Sequence, residues 1–178
     1  RIASGEYTVD SRMMLDVVVH RDRDIIFHDI CLNDVVFTKG AVARIVHLSV
    51  KCDGVQAMEC GGDGVIVSTP TGSTAYSLSA GGPIVEPTAE NIIMTPISAH
   101  AIHAKAMVLD KNRLIDVVVP KESRKAAYLS VDGGKAFKLF SGDTVQISRS
   151  RRNLCLVKLS DKSFYEMINN KLERRIRT

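Results

Sequence analysis

Between Gly61 and Pro83 the chain gathers side chains that bind rather than cut. Five Ser or Thr residues (Thr71, Ser73, Thr74, Ser77 and Ser79) surround Ala75, Tyr76 and Leu78, and no charged residue occurs from Gly64 to Val85. A hydrophobic core has no use for so many hydroxyls, and a membrane span would not tolerate this much Gly, Ser, Thr and Pro. A neutral polar crevice fits better, with hydroxyls and backbone amides offered to a sugar or a base. Thr71 and Ser73 are both suited to cap a helix over residues 73–80, whose free N–H groups would favour a polar or anionic ligand. Gly81-Gly82-Pro83 ends it.

Two acidic positions flank this stretch. Asp63 stands between glycines in Gly61-Gly62-Asp63-Gly64, where it serves either as a turn residue or as a ligand for a hydroxyl. Asn33 and Asp34 sit between Cys31-Leu32 and Val35-Val36-Phe37, in a strand-like apolar setting. Buried polar groups need partners. An amide beside a carboxylate can hold a ribose diol and the edge of an adenine.

Other chemistries lack their residues. The chain has no Walker A sequence and no Gly-x-Gly-x-x-Gly fingerprint, so nucleotide binding would use neither a P-loop nor a Rossmann turn. Cys31, Cys52, Cys60 and Cys155 form no Cys-x-x-Cys pair, which speaks against zinc and against a disulfide framework at this length. His100 and His103 lie in apolar surroundings and read as hydrogen-bonded structural residues. No Ser-His-Asp arrangement stands out, and no residue set suggests a metal site.

The elements that must position these groups are short. β-branched runs at 13–20, 25–28, 35–37, 43–50, 55–59, 65–69, 92–95, 106–109, 114–119, 127–131, 135–139, 144–148 and 154–159 read as strands. Asp53-Gly54 and Asp132-Gly133 are hairpin turns, and Arg21 to Asp24 is a charged turn. About a dozen short strands without alternating long helices predict a mainly β fold, a two-sheet β-sandwich-like domain with one short central helix after Pro70. Ser163 and Glu166 have capping-box spacing. Phe164, Met167, Ile168, Leu172 and Ile176 then share one face, so an amphipathic helix is expected over 164–176.

A chain of 178 residues suits one domain. The net charge is +4, and from Arg149 to the end nine Lys or Arg stand against three acidic residues. Only Phe164 and Tyr165 stand among these cations, so they read as a solvated or subunit-facing surface rather than a nucleic-acid site. No signal peptide and no 18-residue apolar run occurs, which favours the cytoplasm over a membrane.

The run from Val65 to Val85, with Ser68-Thr69-Pro70-Thr71-Gly72-Ser73-Thr74-Ala75-Tyr76-Ser77-Leu78-Ser79-Ala80-Gly81-Gly82-Pro83 at its centre, closely resembles the long second-domain motif of NAD kinases. Asn33-Asp34 looks like that family's Asn-Asp/Glu motif. Thr95-Pro96-Ile97-Ser98-Ala99-His100 looks like its Thr-Pro-Ile-x-Pro-His segment, and Val131-Asp132-Gly133 like its Asp-Gly turn. Three positions depart from the pattern: Gly61 where the family often has Arg, Lys105-Ala106 for Arg-Pro, and Gly134 where some members have Gln.

The resemblance implies a kinase that phosphorylates the adenosine ribose 2′-hydroxyl of NAD to make NADP. The donor would be ATP or polyphosphate, with Mg²⁺ or another divalent metal. It implies that residues 1–178 are the C-terminal NAD-binding domain of a longer protein, since Arg1 is not an initiator. The catalytic base would then lie on a preceding α/β domain, against which the terminal helix would pack, and the chain by itself would be inactive. Asn33, Asp34, Arg44, Asp63, Thr71, Thr74, Ala75, Tyr76, Ser77, Leu78 and Ser79 would bind the dinucleotide. A homodimer or homotetramer is expected. A related diacylglycerol or lipid kinase and a non-catalytic dinucleotide-binding module are the alternatives.

Overall fold

The computed structural model describes residues 2–40, 45–98, 105–123 and 125–176, with side chains to residue 173. Among these, twelve strands form: β1 (Thr8–Arg21), β2 (Asp24–Cys31), β3 (Asp34–Lys39), β4 (Val46–Cys52), β5 (Val55–Gly62), β6 (Gly64–Ser68), β7 (Asn91–Ile97), β8 (Met107–Asp110), β9 (Ile115–Val118), β10 (Ala127–Val131), β11 (Phe137–Leu139) and β12 (Thr144–Lys158). They make two six-stranded sheets, in the orders β2-β1-β12-β9-β4-β5 and β11-β10-β3-β6-β7-β8. The registered strand pairs are antiparallel. The expected two-sheet β architecture is present.

The chain divides into two compact units, Arg12–Leu154 and a smaller one of Arg1–Ser11 with Cys155–Thr178. The larger unit holds the sandwich. Its core comes from alternate residues of both sheets, including Leu15, Val17, Leu48, Val50, Ile115 and Ile147 from one and Val35, Phe37, Val65, Val67, Met94 and Leu129 from the other. Each such side chain contributes about 1.5–3 kcal/mol when fully buried. Strand β1 shows the two-residue period directly, since Met13, Leu15, Val17 and Val19 are buried while their neighbours are half-exposed.

Strand β6 breaks that alternation, because all five of its residues are buried. One face carries Val65 and Val67 into the core. The other carries Ile66, which packs with Val36, Ile97 and Ala80 in a second cluster. The segment after Pro70 therefore lies on the outer face of the second sheet, over its central strands.

The hairpin turns are where Asp and Gly tolerate left-handed backbone. Asp53 and Gly54 have φ of 50° and 80°, and Cys52 pairs directly with Val55 across them. At the β1–β2 turn Asp22 has φ of 56°. Arg21 there reaches back to the β11–β12 turn. Its Nε and Nη2 donate to the two oxygens of buried Asp143 at 2.9 and 2.8 Å, and its guanidinium lies 4.8 Å from the centre of the Phe140 ring.

Beyond shifted strand edges, four elements stand out from the sequence reading. Strand β12 is one strand of 15 residues, not two with a gap near Arg151. Arg151, Arg152 and Asn153 are exposed, and a strand can carry polar residues wherever it leaves the core. Strand β1 begins at Thr8 rather than Met13. Strand β11 covers only Phe137–Leu139. The helix expected over 73–80 is split into a 3₁₀ turn at Gly72–Thr74 and the single turn α1 (Tyr76–Ser79), because Ala75 adopts φ −95° and ψ −123°.

In the smaller unit, α2 (Phe164–Ile176) matches the expected terminal helix. Its capping box is formed: Glu166 Oε2 accepts from the Ser163 N–H at 2.7 Å, and Ser163 Oγ accepts from the Glu166 N–H at 3.3 Å. Ile168 is the buried residue of its apolar face.

Candidate functional site

The site is built from the first residue of β3, the last residue of β6 and the 3₁₀–α1 segment above them. Asp34 pairs with Ser68 in the β3–β6 register. By the two-residue period their side chains share the outer face with Val36 and Ile66. Asp34 is 5% exposed. The N–H of Tyr76, the first residue of α1, lies near enough to the Asp34 carboxylate to favour the charged form. Burial pushes the Asp34 carboxyl up from its ordinary value, and the nearby charge of Asp132 pushes it further; the Tyr76 N–H works against both.

The Leu32-Asn33-Asp34 backbone is held from two sides. The Asp132 carboxylate accepts the N–H groups of Leu32, Asn33 and Asp34 at 2.7, 2.7 and 3.0 Å. From the other side, the Thr69 N–H donates to the Asn33 carbonyl at 2.9 Å and the Thr69 hydroxyl to the Leu32 carbonyl at 2.5 Å. Gly72 completes this side. A Cβ on Gly72 would stand 1.9 Å from the Asn33 carbonyl oxygen, so only glycine lets the two segments approach so closely.

The hydroxyls of the Thr71–Ser79 stretch divide into two sets. Ser73 and Ser77 are fully buried and serve the framework. Ser73 Oγ donates to the Pro70 carbonyl at 2.7 Å and accepts the Val85 N–H at 3.1 Å; Ser77 Oγ bonds Thr95 Oγ1 at 2.9 Å. Thr71 and Ser73 do not cap through their side chains, in contrast to the expectation from sequence. Tyr76 is 43% exposed and Ser79 is exposed, while Thr74, Ala75 and Leu78 are half-buried. The buried atoms Ser68 Oγ and Thr71 Oγ1 have no hydrogen-bond partner among the described residues. Such atoms are uncommon, and here one lies beside Asp34 and the other in the turn over it.

Asp63 is elsewhere. It precedes Gly64, which pairs with Thr38, whereas Asp34 pairs with Ser68. Five residue steps from Asp63 to Ser68, at about 3.3 Å each, put Asp63 about 16–17 Å from the Asp34 level along the strand direction. Lys39 Nζ lies 2.5 Å from Asp63 Oδ1, and the Asp63 N–H donates to the Ile97 carbonyl at 3.0 Å. Arg44, His100 and His103 lie outside the described residues. Among the described residues, no group of three or more His, Cys, Asp or Glu is placed to hold a metal ion.

The ATP-NAD kinase C-terminal domain family model matches residues 32–159, most of the chain. The chain belongs to that family. It is similar to the NAD kinase of Acetivibrio thermocellus, 44% identical over 97% of this chain and 60% of that protein. Against the NAD kinase of Carboxydothermus hydrogenoformans it is 41% identical over 97% of this chain and 61% of the relative. The chain thus spans about 60% of the length of the curated relatives it matches. Two solved NAD kinase-family structures share its architecture. One is yeast NADH kinase complexed with NADH, at a TM-score of 0.88 and 28% identity, covering 97% of this chain and 50% of that one. The other is an NAD kinase from Archaeoglobus fulgidus in complex with ATP, at 0.75 and 28%, covering 94% and 61%.

Sequence reasoning singled out Asn33, Asp34 and the hydroxyl-rich run, and took Asp132 only as a turn residue and Thr69 only as a strand end. The Asp-Gly signal at 132–133 is local. Nothing local tells that its carboxylate meets residues about a hundred positions earlier in the chain.

Proposed function

We propose that the chain binds the acceptor dinucleotide of an NAD kinase, which transfers the terminal phosphoryl group of ATP or polyphosphate to the 2′-hydroxyl of the adenosine ribose. The observation that carries this reading is the clamped Asn33-Asp34 turn under α1, with its backbone groups taken and the partnerless hydroxyls of Ser68 and Thr71 close by. Family membership and the neighbour that was solved with NADH support it.

Phosphoryl transfer asks little covalent chemistry of the protein and much positioning. The Asn33 amide and the Asp34 carboxylate hold a ribose diol or base edge. Tyr76, Thr74, Ala75 and Ser79 form the rim above, and Thr71, Ser77 and Leu78 shape it from within. Asp63, about 16–17 Å away along the strand direction, contacts a more distant part of a dinucleotide, and the family resemblance assigns Arg44 to the ligand as well. The described residues do not offer a ligand set for a divalent cation, so a Mg²⁺ ion would ride on the donor phosphates. The catalytic base belongs to the part of the relatives that this chain does not span.

The direct test is titration of the chain with NADH, followed by its fluorescence. Saturable binding that NAD displaces is expected, and no binding at millimolar dinucleotide rejects the reading.

A further inference from the structure

We infer that Asp132 is a positioning residue of the acceptor site, setting the Asn33 and Asp34 side chains by occupying a nest of three backbone N–H groups. The inference rests on the dinucleotide reading above. It starts from a complete account of the backbone at 32–34. The three N–H groups go to Asp132, those of Asn33 and Asp34 to Oδ1 and that of Leu32 to Oδ2. The Leu32 and Asn33 carbonyls go to Thr69, and the Asp34 carbonyl accepts the Asp132 N–H at 2.9 Å. All six groups are satisfied.

Three successive N–H groups that converge on one point make a concavity for an anion. Here the anion is built in. A carboxylate at this place has an electrostatic cost, because it stands near the buried Asp34 carboxylate and the two repel. An uncharged turn residue would avoid the repulsion. Charge-assisted bonds to all three amides are what the carboxylate alone supplies. With both oxygens engaged, Asp132 works through the loop rather than on a ligand. Its own backbone suits this role. At φ 47° it is left-handed, which Asp and Asn accept more readily than most residues, and Gly133 follows at 70°. The turn that closes β10 thus reaches across to the start of β3, beside β10 in the sheet.

The test uses the full chain and NADH fluorescence. Asp132→Asn keeps the left-handed turn and leaves one carbonyl oxygen for the Asn33 and Asp34 amides. It also turns an NH₂ group towards the Leu32 N–H. Asp132→Ala removes all three bonds. The Kd for NADH is expected to rise roughly tenfold in Asp132→Asn and further in Asp132→Ala. In an Asn33→Ala background, Asp132→Asn should add less than its full factor, because its effect passes partly through Asn33. Circular dichroism should show a folded protein in each case.

An unchanged Kd in folded Asp132→Asn, with Asn33→Ala still weakening binding, overturns the role of Asp132 and leaves the site reading standing. Fully multiplicative effects overturn it too, because Asp132 would then act independently of the loop. If neither Asn33→Ala nor Asp132→Asn alters binding by a chain that binds NADH, both the inference and the site fail.

Discussion

At the scale of single residues, two carboxylates a few ångströms from partners behave in opposite ways. Asp34 is raised by burial and by Asp132. At Asp143 burial also acts upwards, but Arg21 and the Phe140 N–H outweigh it and hold the carboxyl below its ordinary value. A depressed carboxyl contributes stability above its unfolded pKa of about 3.9, and the contribution disappears as pH falls through the lower folded value. Asp143→Asn should therefore lower Tm at pH 7 by roughly 5 °C. Its deficit should shrink as pH falls below the unfolded value of about 3.9 towards the lower folded one, where the wild-type carboxyl also protonates. Differential scanning calorimetry from pH 2 to 7 reads both effects, and a deficit independent of pH would show that charge is not its source. For the acceptor site, Asn33→Ala and Asp63→Asn in the complete enzyme should each reduce kcat/KM for NAD about tenfold to a hundredfold, as loss of a hydrogen bond to a charged or buried group does. Steady-state kinetics that match wild type in both would remove these residues from the site.

At the scale of elements, what could be read from sequence was what is local and periodic. Asp53-Gly54 forms its two-residue turn with both residues left-handed. Ser163 and Glu166 form their box, and α2 runs over 164–176 as the spacing suggests. The twelve strands follow β-branched runs, with edges displaced by a few residues. The errors lie where tertiary contact decides. The run after Pro70 has the composition of one helix, but Ala75 leaves helical geometry between the 3₁₀ turn and α1. The buried hydroxyls of Ser73 and Ser77 bond Val85 and Thr95, contacts that composition does not reveal. Gly72 reads as an ordinary turn glycine until the Asn33 carbonyl is found against it. Its substitution is a sharp test of the packing between the two segments. Gly72→Ala puts a methyl group 1.9 Å from that oxygen, so the segments must separate. Overpacking of this kind costs about 1–3 kcal/mol, and the Thr69–Asn33 bond lengthens. Hydrogen exchange should show the Thr69 amide losing protection while amides of β4 and β9 keep theirs. Equal protection at Thr69 in the variant and wild type would mean that the two segments do not rely on the close approach.

At the scale of the whole molecule, the sandwich has four margins: β2 and β5 in one sheet, β11 and β8 in the other. Phe27 of β2 and Phe137 of β11 stack with centroids 4.9 Å apart, which closes one side. The strands β5 and β8 carry large exposed apolar side chains, Val55 at 71% and Val108 at 51%. Strand margins of this kind are usually protected, and symmetric self-association is a common means for enzymes. We therefore expect the chain to form a homodimer or homotetramer through this β-domain. The chain covers about 60% of its relatives, so on this reading it assembles and binds dinucleotide but does not turn over. Multi-angle light scattering and an NADP-formation assay with ATP and Mg²⁺ separate the two claims. A particle of two or four chains with no NADP formed is the expected pair of results. Turnover near 1 s⁻¹, which is roughly the lower end for kinases, would place the donor-side machinery within these residues. A strict monomer at micromolar concentration would put the assembly contact outside them, leaving β5 and β8 to be protected in some other way.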